Sequence, residues 1–164
     1  MAPATPPSPD TRPYRPCVGI MLINSDGLIF VGNRIDVEGE HWQMPQGGID
    51  EGETPEQAAW RELAEEVGTK DAKLLGESAD WLSYDLPADI SQKVWGGRYR
   101  GQTQRWFAFR FTGRHADIDL TSHKAEFEAW RWARAEDLTD LAIPFKREIY
   151  RKVIGELGRF ATPA

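Results

Sequence analysis

Residues 47–69 limit the possible folds of this chain more than any other segment, because signals for both ends of one helix fall within them. Thr54 is suited to cap a helix, Pro55 suits the first helical position, and Gln57 stands where a capping box requires it. Gly68 is a residue type that readily adopts the left-handed turn after a helix. The segment therefore predicts a helix that begins after Thr54 and ends at Gly68.

Three glutamates of this predicted helix, Glu62, Glu65 and Glu66, form one acidic patch. At about 100° per residue, Glu65 and Glu66 lie roughly 60° and 40° to either side of Glu62. An apolar stripe is centred roughly 100° away from the patch. The stripe consists of Ala59, Leu63 and Val67. The patch is therefore expected at the edge of the packed face.

Clustered glutamates destabilise a bare helix by about 0.2–0.5 kcal/mol per pair. Hard divalent cations are natural partners, because Mg²⁺ prefers carboxylate oxygens while it retains water and bridges to substrate phosphates. A solvated charged face is the alternative interpretation. Gly47 and Gly48 favour the metal site, since they let backbone approach a ligand closely. Glu53 and Arg61 bracket the helix with charges that could pair and fix the loop to it.

The spacing of these residues resembles the Nudix box. Gly47 is followed after five residues by Glu53, and Glu53 after seven residues by the run Arg61–Gly68. Thr69 replaces the aliphatic residue that ends the family pattern, a departure that concerns packing. The resemblance implies a Nudix α/β/α sandwich, in which a mixed β-sheet lies between helices. It also implies hydrolysis of a phosphoanhydride bond.

The resemblance implies a role for each box residue. Glu62, Glu65 and Glu66 would hold Mg²⁺, for which Mn²⁺ or another divalent cation can substitute, and the Gly47 carbonyl could complete the coordination. Cations neutralise polyphosphate and lower the pKa of an attacking water. Glu65 or Glu66 would accept a proton from that water or orient it. The remaining box residues, Glu53, Arg61 and Gly48, would support the loop.

The rest of the sequence fits one Nudix domain over residues 14–160, preceded by a proline-rich tail over residues 1–13. The tail composition favours extended chain, and a docking peptide is the alternative. No apolar window is long enough for a membrane span or a secretory signal, so we expect a cytoplasmic protein without membrane contact. The net charge of −6 argues against binding along a long stretch of nucleic acid, so we expect the protein to contact only the end of an RNA.

Hydrophobic patterns outside the box predict alternating strands and helices. A hairpin is expected around residues 24–27, and Gly47-Gly48 is expected in a loop. The later predicted elements are strands at Asp80–Tyr84, Arg105–Phe111 and Glu128–Trp132 and a helix at Phe145–Leu157. A long excursion from Asp85 to Gln104 contains Trp95, which is expected at the loop surface, where it could help shape the substrate mouth.

Further segments resemble the bacterial RNA pyrophosphohydrolases and the similar plant-type diadenosine tetraphosphate hydrolases. The matching segments are Tyr14–Gly19, Trp42–Gly48, Trp81–Pro87, Gly101–Phe107, Glu126–Trp132 and Pro144–Arg147. Histidines enter none of the implied roles, because His41, His115 and His123 show no metal-ligand spacing. No protein partner is implied.

This second resemblance implies further site residues. Glu126 would add a carboxylate to the metal site, and Arg15 and Lys146 would contact the phosphate chain or the terminal base. Phe145 would contact a base, and Tyr84 is a candidate for base stacking. From the residues alone, Glu126 is an acid near a strand, Arg15 and Lys146 are surface cations, and Phe145 and Tyr84 are core side chains.

The leading functional hypothesis is an RNA pyrophosphohydrolase, which removes pyrophosphate from the 5′ end of triphosphorylated RNA and so acts in mRNA decay. Asymmetric cleavage of a dinucleoside polyphosphate such as diadenosine tetraphosphate is the alternative, and one enzyme could do both. A non-catalytic nucleotide-binding regulator is a third hypothesis. It is disfavoured because every box carboxylate is present.

Overall fold

The computed structural model describes residues 10–164, in which one eight-stranded sheet lies between helices. The strands are β1 (Tyr14–Ile23), β2 (Ile29–Arg34), β3 (Trp42–Gln43), β4 (Gln46–Gly48), β5 (Ala72–Glu77), β6 (Leu82–Asp85), β7 (Gly101–Phe111) and β8 (Phe127–Ala133). The helices are α1 (Pro55–Val67), α2 (Ala88–Ser91), α3 (Leu138–Leu141) and α4 (Arg147–Leu157). Residues 1–9, the larger part of the predicted tail, lie outside this range. Within it, no helix combines the length and apolar character that a bilayer crossing requires.

Strand β1 lies at the centre of the sheet and pairs in parallel with β7, from Tyr14 opposite Gly101 to Ile23 opposite Arg110. The remaining pairings are antiparallel, so the sheet is mixed, as the sequence predicts. Residues 17–23 of β1 are all buried. Such a continuous apolar run is typical of a strand that is covered on both faces.

The two faces of the sheet carry separate hydrophobic clusters. On one face α1 packs through the predicted stripe, where Ala59, Leu63 and Val67 are fully buried. On the other face α4 packs through its own apolar residues, which are Ile149, Tyr150, Val153 and Leu157. This arrangement confirms the predicted α/β/α sandwich.

Helix α1 begins and ends where the sequence predicts. The Thr54 hydroxyl accepts the Gln57 backbone N–H at 3.2 Å, and the Gln57 side chain accepts the Thr54 N–H at 2.9 Å. Gly68 closes the helix with a φ of 82°, a left-handed conformation that glycine adopts without a steric penalty. The helix that carries the glutamates is therefore fixed at both ends by local interactions.

Several elements differ from the prediction, and long-range pairing explains the differences. Gly47 and Gly48 form β4 rather than a loop, because they pair with β1. Strand β5 was not predicted, since a register shift between Leu74 and Gly76 breaks its alternation. Strand β7 was predicted to start at Arg105 but begins at Gly101, because Gly101 already pairs with β1 and with β6.

The C-terminal helix also differs slightly from the prediction. Residues Pro144–Lys146 form a 3₁₀ turn, and α4 begins only at Arg147. Such turns are common at the start of an α-helix. Tyr150 of α4 then accepts the Met44 backbone N–H at 2.9 Å, which ties this helix to the chain between β3 and β4.

Candidate active site

Between the second half of α1, the start of β1 at Arg15 and the chain before β8 lies a cavity of about 270 Å³, here called the acidic cavity. Its wall brings together the four predicted carboxylates, which are Glu62, Glu65, Glu66 and Glu126. The predicted residues Gly47, Gly48 and Arg15 lie in the same wall. The acidic patch of α1 is thus joined by a carboxylate from a segment sixty residues later in the chain.

Arg61 fixes the loop before α1 to the helix, using every nitrogen of its guanidinium group. Its Nε donates to Glu53 Oε2 at 2.8 Å, and its Nη2 donates to the Gly48 carbonyl at 2.8 Å. Its Nη1 donates to Glu62 Oε1 at 2.8 Å and to Glu65 Oε2 at 3.2 Å. The Arg61 guanidinium also holds the pKa of Glu53 below its usual value. Arg61 therefore orients two carboxylates of the cavity while it braces the loop.

The electrostatic environment of the cavity disfavours buried negative charge. Burial raises the pKa of Glu62 to about 7, although the neighbouring Arg61 opposes the shift. Burial, together with the adjacent Glu126, raises the pKa of Glu66 well above its usual value. Glu66 Oε2 accepts the Gln46 backbone N–H at 3.0 Å, whereas its buried Oε1 has no hydrogen-bond partner within residues 10–164. An unpartnered carboxylate oxygen among other acids is a fitting ligand for a divalent cation.

Two glycines are required here by close approach rather than by backbone conformation. A Cβ at Gly47 would overlap the Glu62 carboxylate, and a Cβ at Gly48 would overlap the Arg15 guanidinium.

Across the described part of the chain, no three His, Cys, Asp or Glu side chains already form a complete metal-binding group. Arg61 accounts for part of this, because it holds one oxygen of Glu62 and one of Glu65. The donor set fits a hard cation, which would have to compete with these contacts.

A second cavity of about 440 Å³ adjoins the first and is here called the aromatic cavity. The predicted residues Tyr84 and Phe145 form one wall, with ring centroids 6.2 Å apart and planes 24° apart. Lys146 lies in the same wall, is only 6% exposed, and donates to Gln43 Oε1 at 3.0 Å. Burial lowers the pKa of the Lys146 ammonium group to about 7. This cavity offers flat apolar surfaces together with one buried amine.

A chain of buried amides separates the two cavities, and its direction is set by Trp106. The indole Nε1, which can only donate, bonds Gln104 Oε1 at 2.8 Å. Gln104 Nε2 then donates to Gln102 Oε1 at 2.7 Å and to Gln46 Oε1 at 3.3 Å. Gln102 and Gln46 line both cavities. The amide group of Gln102 is thereby oriented with its oxygen inward, which leaves its NH₂ available to a ligand.

Some residues of these walls were not predicted as site residues. His123 Nε2 lies 3.9 Å from Glu65 Oε1, although the spacing of the histidines indicated no role. Arg34 Nη1 lies 3.9 Å from Glu126 Oε2 and borders both cavities. The glutamines had a readable signal, because Gln102 and Gln104 stand two residues apart at the start of a strand and so share one face. His123 and Arg34 had no such signal.

Comparison with known proteins decides the family. A profile described as NUDIX domain matches residues 13–153. This chain belongs to the NUDIX family. A relative from Rhodospirillum rubrum, named RNA pyrophosphohydrolase, is 56% identical to this NUDIX protein over 163 residues, which cover 99% of this chain and 98% of the relative.

Solved structures share the fold of this NUDIX protein at much lower identity. The dihydroneopterin triphosphate pyrophosphohydrolase of E. coli has a TM-score of 0.67 and 21% identity, covering 86% of this chain and 97% of its own. The Ap4A hydrolase of C. elegans, solved as a binary complex, has a TM-score of 0.62 and 19% identity, covering 89% and 99%. At these identities the neighbours establish the fold alone.

Proposed function

We propose that this NUDIX protein is an RNA pyrophosphohydrolase, which converts a 5′-triphosphorylated RNA end to a 5′-monophosphate and releases pyrophosphate. The observation that carries the proposal is that an acidic cavity adjoins an aromatic one and shares wall residues with it, among them Gln46, Trp95 and Gln102. A polyphosphate needs the first environment and a nucleobase needs the second. The 56% identity to the R. rubrum protein of that name supports the same substrate.

In this proposal the acidic cavity holds the phosphates and Mg²⁺, for which Mn²⁺ can substitute. Glu62, Glu66, Glu126 and the Gly47 carbonyl would hold the metal, with Glu65 at the rim. The metal would neutralise phosphate charge and lower the pKa of the attacking water. The Glu65 side chain is 30% exposed, more than that of Glu62 at 10%, so Glu65 is the better placed to accept a proton from water. Arg15 would contact the phosphate chain.

The aromatic cavity would hold a base of the RNA. Phe145 and Tyr84 present stacked rings, and a base on such a surface gains about 1–3 kcal/mol. Lys146 would regain its positive charge when a phosphate or a base carbonyl enters, because an acceptor favours its protonated form. A dinucleoside polyphosphate also combines phosphates with bases. The likeness to the C. elegans Ap4A hydrolase concerns the fold, so it does not favour that substrate.

The proposal is tested by product identification with Mg²⁺ and a short 5′-triphosphorylated RNA. We expect wild-type protein to yield 5′-monophosphate RNA and pyrophosphate. Glu66→Gln should lower kcat by about 100-fold, because a neutral amide is a weaker ligand for the metal, whose stabilisation of transition-state charge is worth several kcal/mol. Glu56→Gln is the matched control, since Glu56 lies exposed in the first turn of the same helix, and it should keep wild-type activity.

Three results would contradict parts of the proposal. Triphosphorylated RNA that stays as intact with wild type as with Glu66→Gln would remove the activity. A higher kcat/KM for diadenosine tetraphosphate than for RNA in a competition assay would reassign the substrate. Tight polyphosphate binding without turnover in Mg²⁺ or Mn²⁺ would favour a non-catalytic regulator. A cytoplasmic location stays a prediction from the sequence.

A further inference from the structure

The chain immediately before β1 is bound to the loop that precedes β7. Arg12 Nη1 donates to the Gly97 carbonyl at 3.1 Å and to the Ser91 carbonyl at 3.3 Å. Arg12 Nη2 donates to Ser91 Oγ at 3.0 Å. Asp10 orients this guanidinium group from the other side, with contacts of 2.7 and 3.0 Å. One arginine thus connects the end of α2 with the end of the following 3₁₀ turn.

That 3₁₀ turn, Val94–Gly97, has an unusual backbone conformation. Trp95 has a φ of 49°, the only positive φ of a non-glycine residue within residues 10–164. Gly96 and Gly97 follow with φ values of 66° and 71°. A bulky residue in the left-handed region is uncommon and persists only where its surroundings hold it. The contacts from Arg12 to Gly97, at the end of the turn, and to Ser91, just before it, are contacts of that kind.

The side chain of Trp95 connects this turn to the candidate active site. It lies in the walls of both the acidic and the aromatic cavity. The Arg15 guanidinium lies over its ring, 4.9 Å from the centroid. Such a cation–π contact fixes the cation as well as the ring. Arg15 in turn packs against Gly48, where a Cβ would overlap its guanidinium group.

We propose that Arg12 is a positioning residue, which holds the Trp95 turn so that Trp95 and Arg15 present a preformed contact surface to the substrate. This inference rests on the proposed function for its substrate but on the contacts above for its geometry. Arg12 does not line either cavity. Its effect should therefore reach the reaction through Trp95 and appear as weaker substrate binding rather than slower chemistry.

The test measures the stability of the Trp95 turn and the binding of substrate separately, both in the intact protein. In Arg12→Ala we expect hydrogen exchange at residues 94–98 to become at least about fivefold faster, since the turn loses its contact at Gly97 and its link to Ser91 of α2. The KM for triphosphorylated RNA should rise by about three- to tenfold while kcat stays within about twofold, the pattern of lost uniform binding. Arg12→Lys should show most of the same loss, because one ammonium group cannot reproduce the forked contacts. Ser91→Ala, a milder variant, should show part of it.

Arg151→Ala is the matched control, because Arg151 forms an exposed ion pair with Glu148 on α4, and it should change neither quantity. A double-mutant cycle decides the route: in a Trp95→Ala background, Arg12→Ala should change KM by less than about twofold. The inference is overturned if exchange at residues 94–98 is unchanged, if KM is unchanged, or if the two effects on KM are additive. If the wild-type protein does not hydrolyse RNA, the proposed function fails. The role of Arg12 is then still decided by hydrogen exchange at residues 94–98 and by the affinity for the same RNA, each compared between wild type and Arg12→Ala.

Discussion

The two cavities of this NUDIX protein are neighbours, yet they are assembled in different ways. Three of the four carboxylates of the acidic cavity come from one helix, α1, and the fourth, Glu126, comes from the chain before β8. The aromatic cavity takes its wall from separated segments spread over residues 34–146. The charged groups of the first cavity are therefore set largely by one helix, whereas the paired rings of the second, Tyr84 and Phe145, come together only when β6 and the chain before α4 have assembled.

The cavities differ equally in what they require of their side chains. In the acidic cavity like charges are forced together, so a small displacement of one carboxylate changes the whole site. In the aromatic cavity, contact depends on area and shape, which neighbouring side chains can partly restore. We therefore expect substitutions in the acidic cavity to affect catalysis with little change in stability. Those in the aromatic cavity should affect substrate affinity, stability, or both.

The largest expected effect comes from Gly47→Ala, which tests the acidic cavity. The added methyl group would overlap the Glu62 carboxylate, the flexible end of its side chain, so the carboxylate should move rather than the backbone. A displacement of about 1 Å in a catalytic group can cost about 100-fold in rate, and we expect a loss of that size in kcat. Gly155→Ala is the control, because a Cβ there meets open space. A variant with wild-type kcat would show that the position of Glu62 is not critical.

How far the sequence predicts the structure follows the same division. The helix with its cap, its acidic patch and its Arg61 brace could be predicted, because each depends on residues a few turns apart. Long-range pairing could not be predicted in detail. Gly47 and Gly48 read as a loop, yet they form a strand because β1 lies alongside. Strand β5 was missed because its bulge breaks the alternation on which prediction depends.

The same limit explains which site residues were missed. Arg34 and His123 reach the cavities from β2 and from the chain before β8, and no spacing pattern connects them with the helix. Trp95 was expected at the surface of a loop, where it could help shape the substrate mouth, and it is half-buried in the walls of both cavities. Tyr84 was expected either in the core or at a base. It is buried and lines the aromatic cavity, so its place in the core is confirmed, and stacking on a base stays a prediction.

The second prediction concerns stability in the aromatic cavity. Burial lowers the pKa of Lys146 to about 7 from 10.5. Between these values the unfolded chain binds more protons, so the cost of burial is complete below about pH 7 and disappears as pH rises towards 10.5. Lys146→Met should therefore stabilise the ligand-free protein by about 2–4 kcal/mol at pH 6, and the gain should shrink with rising pH. Denaturant unfolding across this range measures it.

Lys152→Met on the exposed face of α4 is the control for this measurement, and its effect should not vary comparably with pH. The Lys146→Met protein should bind triphosphorylated RNA more weakly even though it is more stable. A gain that stays constant from pH 6 to pH 10 would mean that Lys146 is not deprotonated by burial.

The third prediction separates binding from chemistry in the aromatic cavity. Phe145→Ala removes the half-buried ring that stacks with Tyr84. We expect KM for triphosphorylated RNA to rise by about tenfold, within the roughly 1–3 kcal/mol range of base stacking, while kcat changes little. Phe145→Tyr retains a ring and should retain most of the affinity. If kcat falls as far as in Gly47→Ala while KM is unchanged, the division between the two cavities is wrong.

The smallest expected effect compares the helices behind the two cavities. Helix α1 is capped at both ends, whereas α4 contains Gly155 at an exposed position with open space around it. Gly155→Ala should stabilise the protein by about 0.5–1 kcal/mol, because alanine has the higher helix propensity and loses less backbone entropy. For a domain of this size, that corresponds to a rise in Tm of about 1–4 °C. Unchanged kcat and KM would indicate that the 3₁₀ turn before α4, which carries Phe145 and Lys146, keeps its position when rigidity is added near the far end of the helix.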